Sequence, residues 1–430
     1  MSFTVLAAVV IFAVTYGLIA TERVHRVTAA LGGVAAMTLI GLVDAETAFF
    51  DSETGVDWNV IFLLFGMMVI VSVLKQTGLF EFLALWAAKA SRGRPGRLMM
   101  LLILITAGLS PVLDNVTTVL LVAPVALSVT ARLGLSPVPY LIALVFASNV
   151  GGMGTLIGDP PNIIIASRGG LTFNDFLIHS MPITIVLVGV LVVLCLLLFR
   201  RDLDVEVTND ISDIRPGAAI QDRAVLGRAL VVLAAVMVAF GLHTVLHIDP
   251  SIVAMLGAGA MVFVARSTPE EALEEVEWVT LAFFMALFVL VGSLVEVGVI
   301  GDLGELAADA LGERELLASS VLLFGSAVAG AFVDNIPYTA AMVPIVGDMV
   351  AASPNPGSGS PLWWAFVFGA DLGGNTTAVA AGANVVVLGI AAKAGHPISF
   401  WRFTKYGIVV TFATLAVSWV YVWFRYFVLA

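Results

Sequence analysis

The sequence predicts an all-α polytopic membrane protein built from two inverted-topology repeats, each of about five spans plus a re-entrant hairpin, with broken helices at the midplane. Three observations carry that reading. The 430 residues are 60% hydrophobic and only 12% charged, and their mean hydropathy of +1.05 lies far outside the range of soluble domains. Apolar runs long enough to cross a bilayer recur along the whole chain. The second half also repeats the first in a fixed register.

Taken in order, spans are predicted at 3–20, 27–43 and 58–75. The first has no basic leader and no small-residue cleavage site before "TERVHR", so it is expected to be retained rather than removed as a signal peptide. "LFEFLALWAAKASRGR" from Leu79 is amphipathic with basic flanks and predicts a helix lying in the membrane interface. The stretch 98–131 is split by "SPVLDNVTT" into two short apolar pieces, the pattern of a hairpin that enters the membrane and returns. The run 138–168 is interrupted by "SNVGGMGTLIGDPPN", whose glycines, proline pair and acid are poor ingredients for a helix in lipid. A span at 178–199 completes a first repeat over 1–200, and the polar segment 201–223 reads as a cytoplasmic linker. The second repeat, 224–430, follows with spans at 226–246, 251–265 and 279–297, an interfacial stretch at 299–312, a hairpin at 317–350 split by "AFVDNIPYT", a broken helix at 362–393 and a last span at 406–424.

The repeat fixes equivalences residue by residue. "DWNVIFLLFGMMVIVSVLKQTGLF" from Asp57 matches "EWVTLAFFMALFVLVGSLVEVGVI" from Glu277, and the same offset places Asp114-Asn115 on Asp334-Asn335 and Pro124 on Pro344. Two residues of drift later, Asn149 falls on Asp371, Gly151-Gly152 on Gly373-Gly374, Thr155 on Thr377 and Asn162 on Asn384. With the loop at 21–27 on the cytoplasmic side, 17 of the 20 Lys and Arg residues fall on that side, all but Arg168, Arg314 and Arg425. The expected location is the inner (plasma) membrane, multi-pass, with both termini outside and the two hairpins entering from opposite faces.

A backbone group left unpaired in hydrocarbon costs several kcal/mol, so four helix breaks imply a protein-lined or watery site. Paired broken helices in inverted repeats are the arrangement of secondary transporters, which bind substrate and coupling ion near the midplane. The carboxylates at the breaks, Asp114, Asp159, Asp334 and Asp371, are costly to hold in a span and are candidate proton or ion carriers. Asn115, Thr117, Thr118, Asn149, Thr155, Asn162, Asn335, Thr339, Asn375, Thr376, Thr377 and Asn384 surround them with neutral oxygens and amides. Simpler readings compete. Asp114, Asp334 and Asp159 are placed to cap the helices that follow them, and the glycine pairs are of the kind that lets helices pack closely. Asp159 answers to Ala381 and so lacks an acidic repeat mate, which moves the expected weight of coupling to the hairpin tips. His243 and His247 stand four apart near Asp249, but no further ligand is in reach, and no metal site is expected. The single cysteine, Cys195, excludes disulfides and thiolate clusters, and the net charge of −11 supports no nucleic-acid partner.

"SNVGGMGTLIGDPPNIIIAS", "LDNVTTVLLVAPV", "DNIPYTAAMVPIV" and "GGNTTAVAAGANVVVLGIA" together resemble the ion transporter superfamily, in the branch that holds arsenite permeases of the ArsB type, NhaD-type sodium/proton antiporters and the pigment-cell P protein. The resemblance implies a scaffold and a transport domain in each half, hairpins that meet broken helices at the site, and an elevator-like movement. Members that carry di- or tricarboxylates have a Ser-Asn-Thr triplet at the hairpin tips, where this chain has Asp114 and Asp334 before the Asn. The expected function is a proton-coupled efflux permease for arsenite and antimonite working by alternating access, with sodium/proton antiport or an anion carrier of the same superfamily as the alternative. No enzymatic activity and no cofactor is expected beyond protons or sodium as coupling ion. The expected partners are the lipid bilayer and a small inorganic substrate, with a homodimer and an auxiliary ATPase left open.

Overall fold

The computed structural model describes residues 3–21, 23–51, 53–205, 207, 215–311 and 314–429. Residues 206 and 208–214 of the linker, and residue 312 of the second interfacial stretch, lie outside them. The described residues form helices and no strands, and eight of these helices are long and apolar enough to cross a membrane.

The first half runs Phe3–Ala20, Arg26–Leu39, a short Ala45–Phe49, Trp58–Gln76 and the amphipathic Leu79–Ser91. The hairpin arms Pro95–Leu113 and Asn115–Leu133 follow, then the half-helices Val138–Gly152 and Pro160–Gly169, a short Phe173–His179, and Met181–Leu198. The second half passes through Arg223–Leu246, Pro250–Ala265, Pro269–Glu274, Trp278–Glu296, Val299–Leu311, the arms Glu315–Gly330 and Asn335–Ala351, the half-helices Pro361–Gly373 and Gly382–Lys393, and Phe400–Trp423. A helix pair turns at each predicted tip and a pair of half-helices stands at each predicted break, but the arms of the first hairpin have 19 residues each and are long enough to cross a membrane, unlike the short pieces expected. The second span is shorter than its apolar run: it stops at Leu39, ahead of Gly41 at φ 75°, and at 14 residues covers about 21 Å.

Three short helices went unread as elements because they are too short to show an apolar period. Each opens on a capping box, Asp44 with Thr47, Thr172 with Asp175 and Thr268 with Glu271. The Thr47 and Glu46 amides that bond Asp44 hold its carboxyl below the usual range. A lowered folded-state value means the cap stabilises fully above the unfolded carboxylate range and is lost as pH falls through the folded one. Amide exchange at Glu46 and Thr47 is therefore expected to accelerate, relative to intrinsic rates, on acidification below the ordinary aspartate range.

Packing places the broken helices at the centre. Val138–Gly152 and Pro361–Gly373 are buried along their whole lengths. In each half the first hairpin arm packs on the first half-helix, whereas the second arm crosses to the other half: Asn115–Leu133 meets Gly382–Lys393, and Asn335–Ala351 meets Pro160–Gly169. The first three spans of each half make a separate group, in which Trp58–Gln76 lies against Pro250–Ala265 and Trp278–Glu296 against Arg26–Leu39. Glycine permits the close approach in the core: a Cβ on Gly151 would stand 2.5 Å from the Ala107 carbonyl oxygen, and one on Gly373 would stand 2.8 Å from the Ala327 Cα. Ala107 and Ala327 are repeat mates, so the close-packing reading of the glycine pairs holds for both halves.

Candidate functional site

The helix breaks are pinned by side chains that take over backbone bonding. Asn162 Nδ2 donates to the carbonyls of Thr155 at 3.0 Å and Gly152 at 3.4 Å, and Asn384 Nδ2 donates to those of Thr377 and Gly374 at 2.7 Å each. Thr155 Oγ1 donates to the Pro111 carbonyl and Thr377 Oγ1 to the Ala331 carbonyl at 2.7 Å, tying each break to its own hairpin. The same bonds thus recur at equivalent residues, and in both halves they give partners to carbonyls that the unwound segment leaves outside a helix. Asn162→Ala removes two of these bonds from a fully buried residue and is expected to cost about 1–3 kcal/mol, checked by thermal unfolding in detergent.

The breaks bring Asn115, Asn149, Asp159, Asn162, Asn335, Asp371, Asn375 and Asn384 together, all buried. Asn115 Nδ2 donates to Asp159 Oδ2 at 2.8 Å and to Asn149 Oδ1 at 3.2 Å, and Asn149 Nδ2 donates across the repeat interface to Asn375 and Asn384 Oδ1 at 3.1 Å each. Asp159 lies within charge reach of Asp371, Asp114 and Asp334, with Asn335 beside it, and Asn162 adjoins Asp371. Within this cluster five oxygens have no hydrogen-bond partner: Asn115 Oδ1, Asp159 Oδ1, Asn162 Oδ1 and both oxygens of Asp371. Asn335 Nδ2 and Asn375 Nδ2 are also unpartnered. Buried polar atoms are nearly always satisfied, so this concentration of unpartnered ones makes the cluster the candidate site for water, an ion, a solute or a proton.

The hairpin tips are arranged differently. Asp114, at φ 81°, spends its carboxylate on the Thr117 N–H at 2.8 Å and Thr117 Oγ1 at 2.7 Å, while Thr118 Oγ1 donates to its carbonyl at 2.6 Å. Asp334 accepts from the Ile336 N–H at 3.2 Å and from Arg26 Nη1 at 3.1 Å. Both tip acids cap the helices they precede and stay partly accessible. Asp159 makes no cap bond. It sits instead in the centre, although it has no acidic repeat mate. Thr376 turns away to Thr411 Oγ1 at 3.2 Å, and Thr339 is buried with its hydroxyl unpartnered. His243 bonds the Phe240 carbonyl, and among the described residues no three His, Cys, Asp or Glu side chains are placed to hold a metal ion.

Three participants escaped the sequence reading. Arg26 counted only as one of the basic residues that set orientation, and its contact with Asp334 spans 308 positions. Ser148 Oγ donates to the Asn115 carbonyl at 2.6 Å and Ser110 Oγ to the Ser148 carbonyl at 2.7 Å, joining hairpin and broken helix. A cavity of about 360 Å³ opens beside the second tip, lined by Val24, His25, Arg26, Phe332, Asp334 and Gly382 among others.

Comparison with known proteins places this arrangement among transporters. A protein-family model described as "CitMHS: Citrate transporter" matches residues 16–369. An uncharacterized transporter of Mycobacterium tuberculosis is 49% identical over 98% of this chain and 99% of its own length. The human P protein is 33% identical over 96% of this chain and 59% of its own length. The crystal structure of the Alcanivorax borkumensis YdaH transporter, described as having an unusual topology, superposes with a TM-score of 0.60 at 16% identity over 99% of both chains, a likeness of fold alone.

Proposed function

Because the chain belongs to the citrate transporter (CitMHS) family and is a membrane transporter, we propose that it is a proton-coupled efflux permease for a small, neutral, hydroxylated solute, arsenite or antimonite, working by alternating access. The observation that carries this reading is the set of five unpartnered oxygens in a cluster that contains two carboxylates and no Lys or Arg. A multivalent anion would meet uncompensated negative charge there. Arsenite in its trihydroxide form is neutral and offers three O–H donors to such acceptors, and a proton is the smallest group that relieves an unpaired buried carboxylate. In this reading Asp159 and Asp371 exchange protons, the amides of Asn115, Asn162 and Asn335 hold the solute, and the hairpins carry the site between the two sides.

Two features favour other cargo. Five unpartnered oxygens in one buried cluster also suit a desolvated sodium ion, which is the sodium/proton antiport reading. The cavity beside Arg26 is large enough for an organic anion, which is the anion-carrier reading that the family description brings. Proteoliposomes holding a pH dye separate the three. Dissipation of a pH gradient on adding arsenite or antimonite, with no response to sodium or citrate, is the expected result. A response to sodium alone or to citrate alone replaces the arsenite reading by the corresponding alternative.

A further inference from the structure

At the second hairpin tip a cation arrives from the far end of the chain. Arg26 Nη1 stands 3.1 Å from Asp334 Oδ2, and its guanidinium lies 5.2 Å over the Phe283 ring. Arg26 begins a helix of the outer group of spans, packed on Trp278–Glu296, whereas Asp334 belongs to the hairpin. A second bond joins the same two parts, Tyr16 Oη to the Pro337 carbonyl at 2.8 Å. Arg26, His25 and Asp334 line the cavity of about 360 Å³, so the pair borders open space, and the buried Asp159 lies within charge reach of Asp334.

The first tip carries the same Asp-Asn pair in the opposite surroundings. Asp114 is committed to Thr117, and the charges within reach of it are the acids Glu277 and Asp159. Lys75, the cation of the adjoining pocket, is held by Glu275 at 2.6 Å. Two homologous tips therefore differ in one functional respect: only the second offers a carboxylate bonded to a side-chain cation that can be displaced.

We propose that Arg26 is a tethered counter-cation, which neutralises Asp334 when no proton or monovalent cation is bound there and gives way when one is. The role rests on the coupled-transport reading above and adds to the Asp159–Asp371 pair a second place, Asp334, where a proton or cation binds. A guanidinium keeps its charge at any accessible pH, so binding of a proton or cation at Asp334 removes the attraction and opens the pair. When the ligand leaves, Arg26 closes on the carboxylate again. While the pair is closed it ties the unloaded hairpin tip to the outer spans, so the tip does not cross the protein empty and protons do not leak without solute. Arg26 acts through Asp334 and is a positioning residue.

The test uses the full chain in proteoliposomes with an internal pH dye and an imposed membrane potential. Without solute, Arg26→Gln is expected to leak protons several-fold faster than wild type, and Arg26→Lys, which keeps the charge, to leak at the wild-type rate. The exchanged pair, Arg26→Asp with Asp334→Arg, preserves compensation and is expected to be as tight as wild type; it carries the test if Arg26→Gln does not fold. A wild-type leak in a folded Arg26→Gln, or a fast leak in the exchanged pair, overturns the proposal. Solute-driven proton movement by the wild type is read in the same vesicles with arsenite, antimonite and sodium. Its absence for all three removes the coupled reading, whereas its presence beside an unchanged leak in Arg26→Gln removes only the role of Arg26.

Discussion

Asp371→Asn is expected to leave a folded, monodisperse protein whose solute-driven proton flux falls to the background of empty liposomes. The substitution keeps the shape and removes the charge. Asp371 is fully buried, neither of its carboxyl oxygens has a hydrogen-bond partner, and its neighbour Asn162 is already engaged with the carbonyls of its own break. A carboxylate so placed is an expense to the fold that only function explains. The same argument gives the stability a sign: removing an uncompensated buried acid is expected to raise the melting temperature in detergent while activity is lost. Asp114→Asn, at a residue that caps its helix and makes its hydrogen bonds locally, is expected to change flux far less. Unimpaired coupling in Asp371→Asn, or its loss only in the Asp114 variant, would return the coupling role to the hairpin tips.

Gly151→Ala is the second large expected effect, and it acts on packing. The added Cβ would stand 2.5 Å from the Ala107 carbonyl oxygen and 2.7 Å from its Cα. Both are backbone atoms of a helix buried against the break, so neither can swing aside as a side chain would. A destabilisation of about 3 kcal/mol is expected, at the upper end of ordinary overpacking. Thermal unfolding and size-exclusion profiles check it, and Gly32→Ala, with open space at its Cβ, is the control expected to behave as wild type. Wild-type stability in Gly151→Ala would mean that the hairpin and the broken helix separate more easily than this contact implies.

Much of the architecture is legible in the chain because membranes simplify the reading. Hydropathy marks the spans, and the 220-residue offset singles out Asp114-Asn115 and Asp334-Asn335 as corresponding hairpin tips. Repeat mates proved a sound guide to hydrogen bonding: Asn162 and Asn384 make the same two bonds, and Thr155 and Thr377 reach Pro111 and Ala331, themselves one repeat apart. Relative depth was not legible. Linear order does not say that Asp159 would sit in the central cluster while Asp114 and Asp334 stay partly accessible, because that depends on how the hairpins tilt against the breaks. Nor does any local pattern announce that Arg26 meets Asp334, since a basic residue between two spans reads the same whether it faces lipid headgroups or a hairpin tip. Symmetry does not give the position of Asp159: it has no acidic mate, yet it lies within charge reach of Asp371 from the other break.

In the proposed mechanism solute and proton meet at the Asp159–Asp371 cluster. The most direct measurement is the number of protons exchanged when arsenite binds to the purified protein in weakly buffered detergent solution, for wild type and for Asp159→Asn/Asp371→Asn. A proton change on binding is expected in the wild type and none in the double variant. The same proton change in both would contradict it.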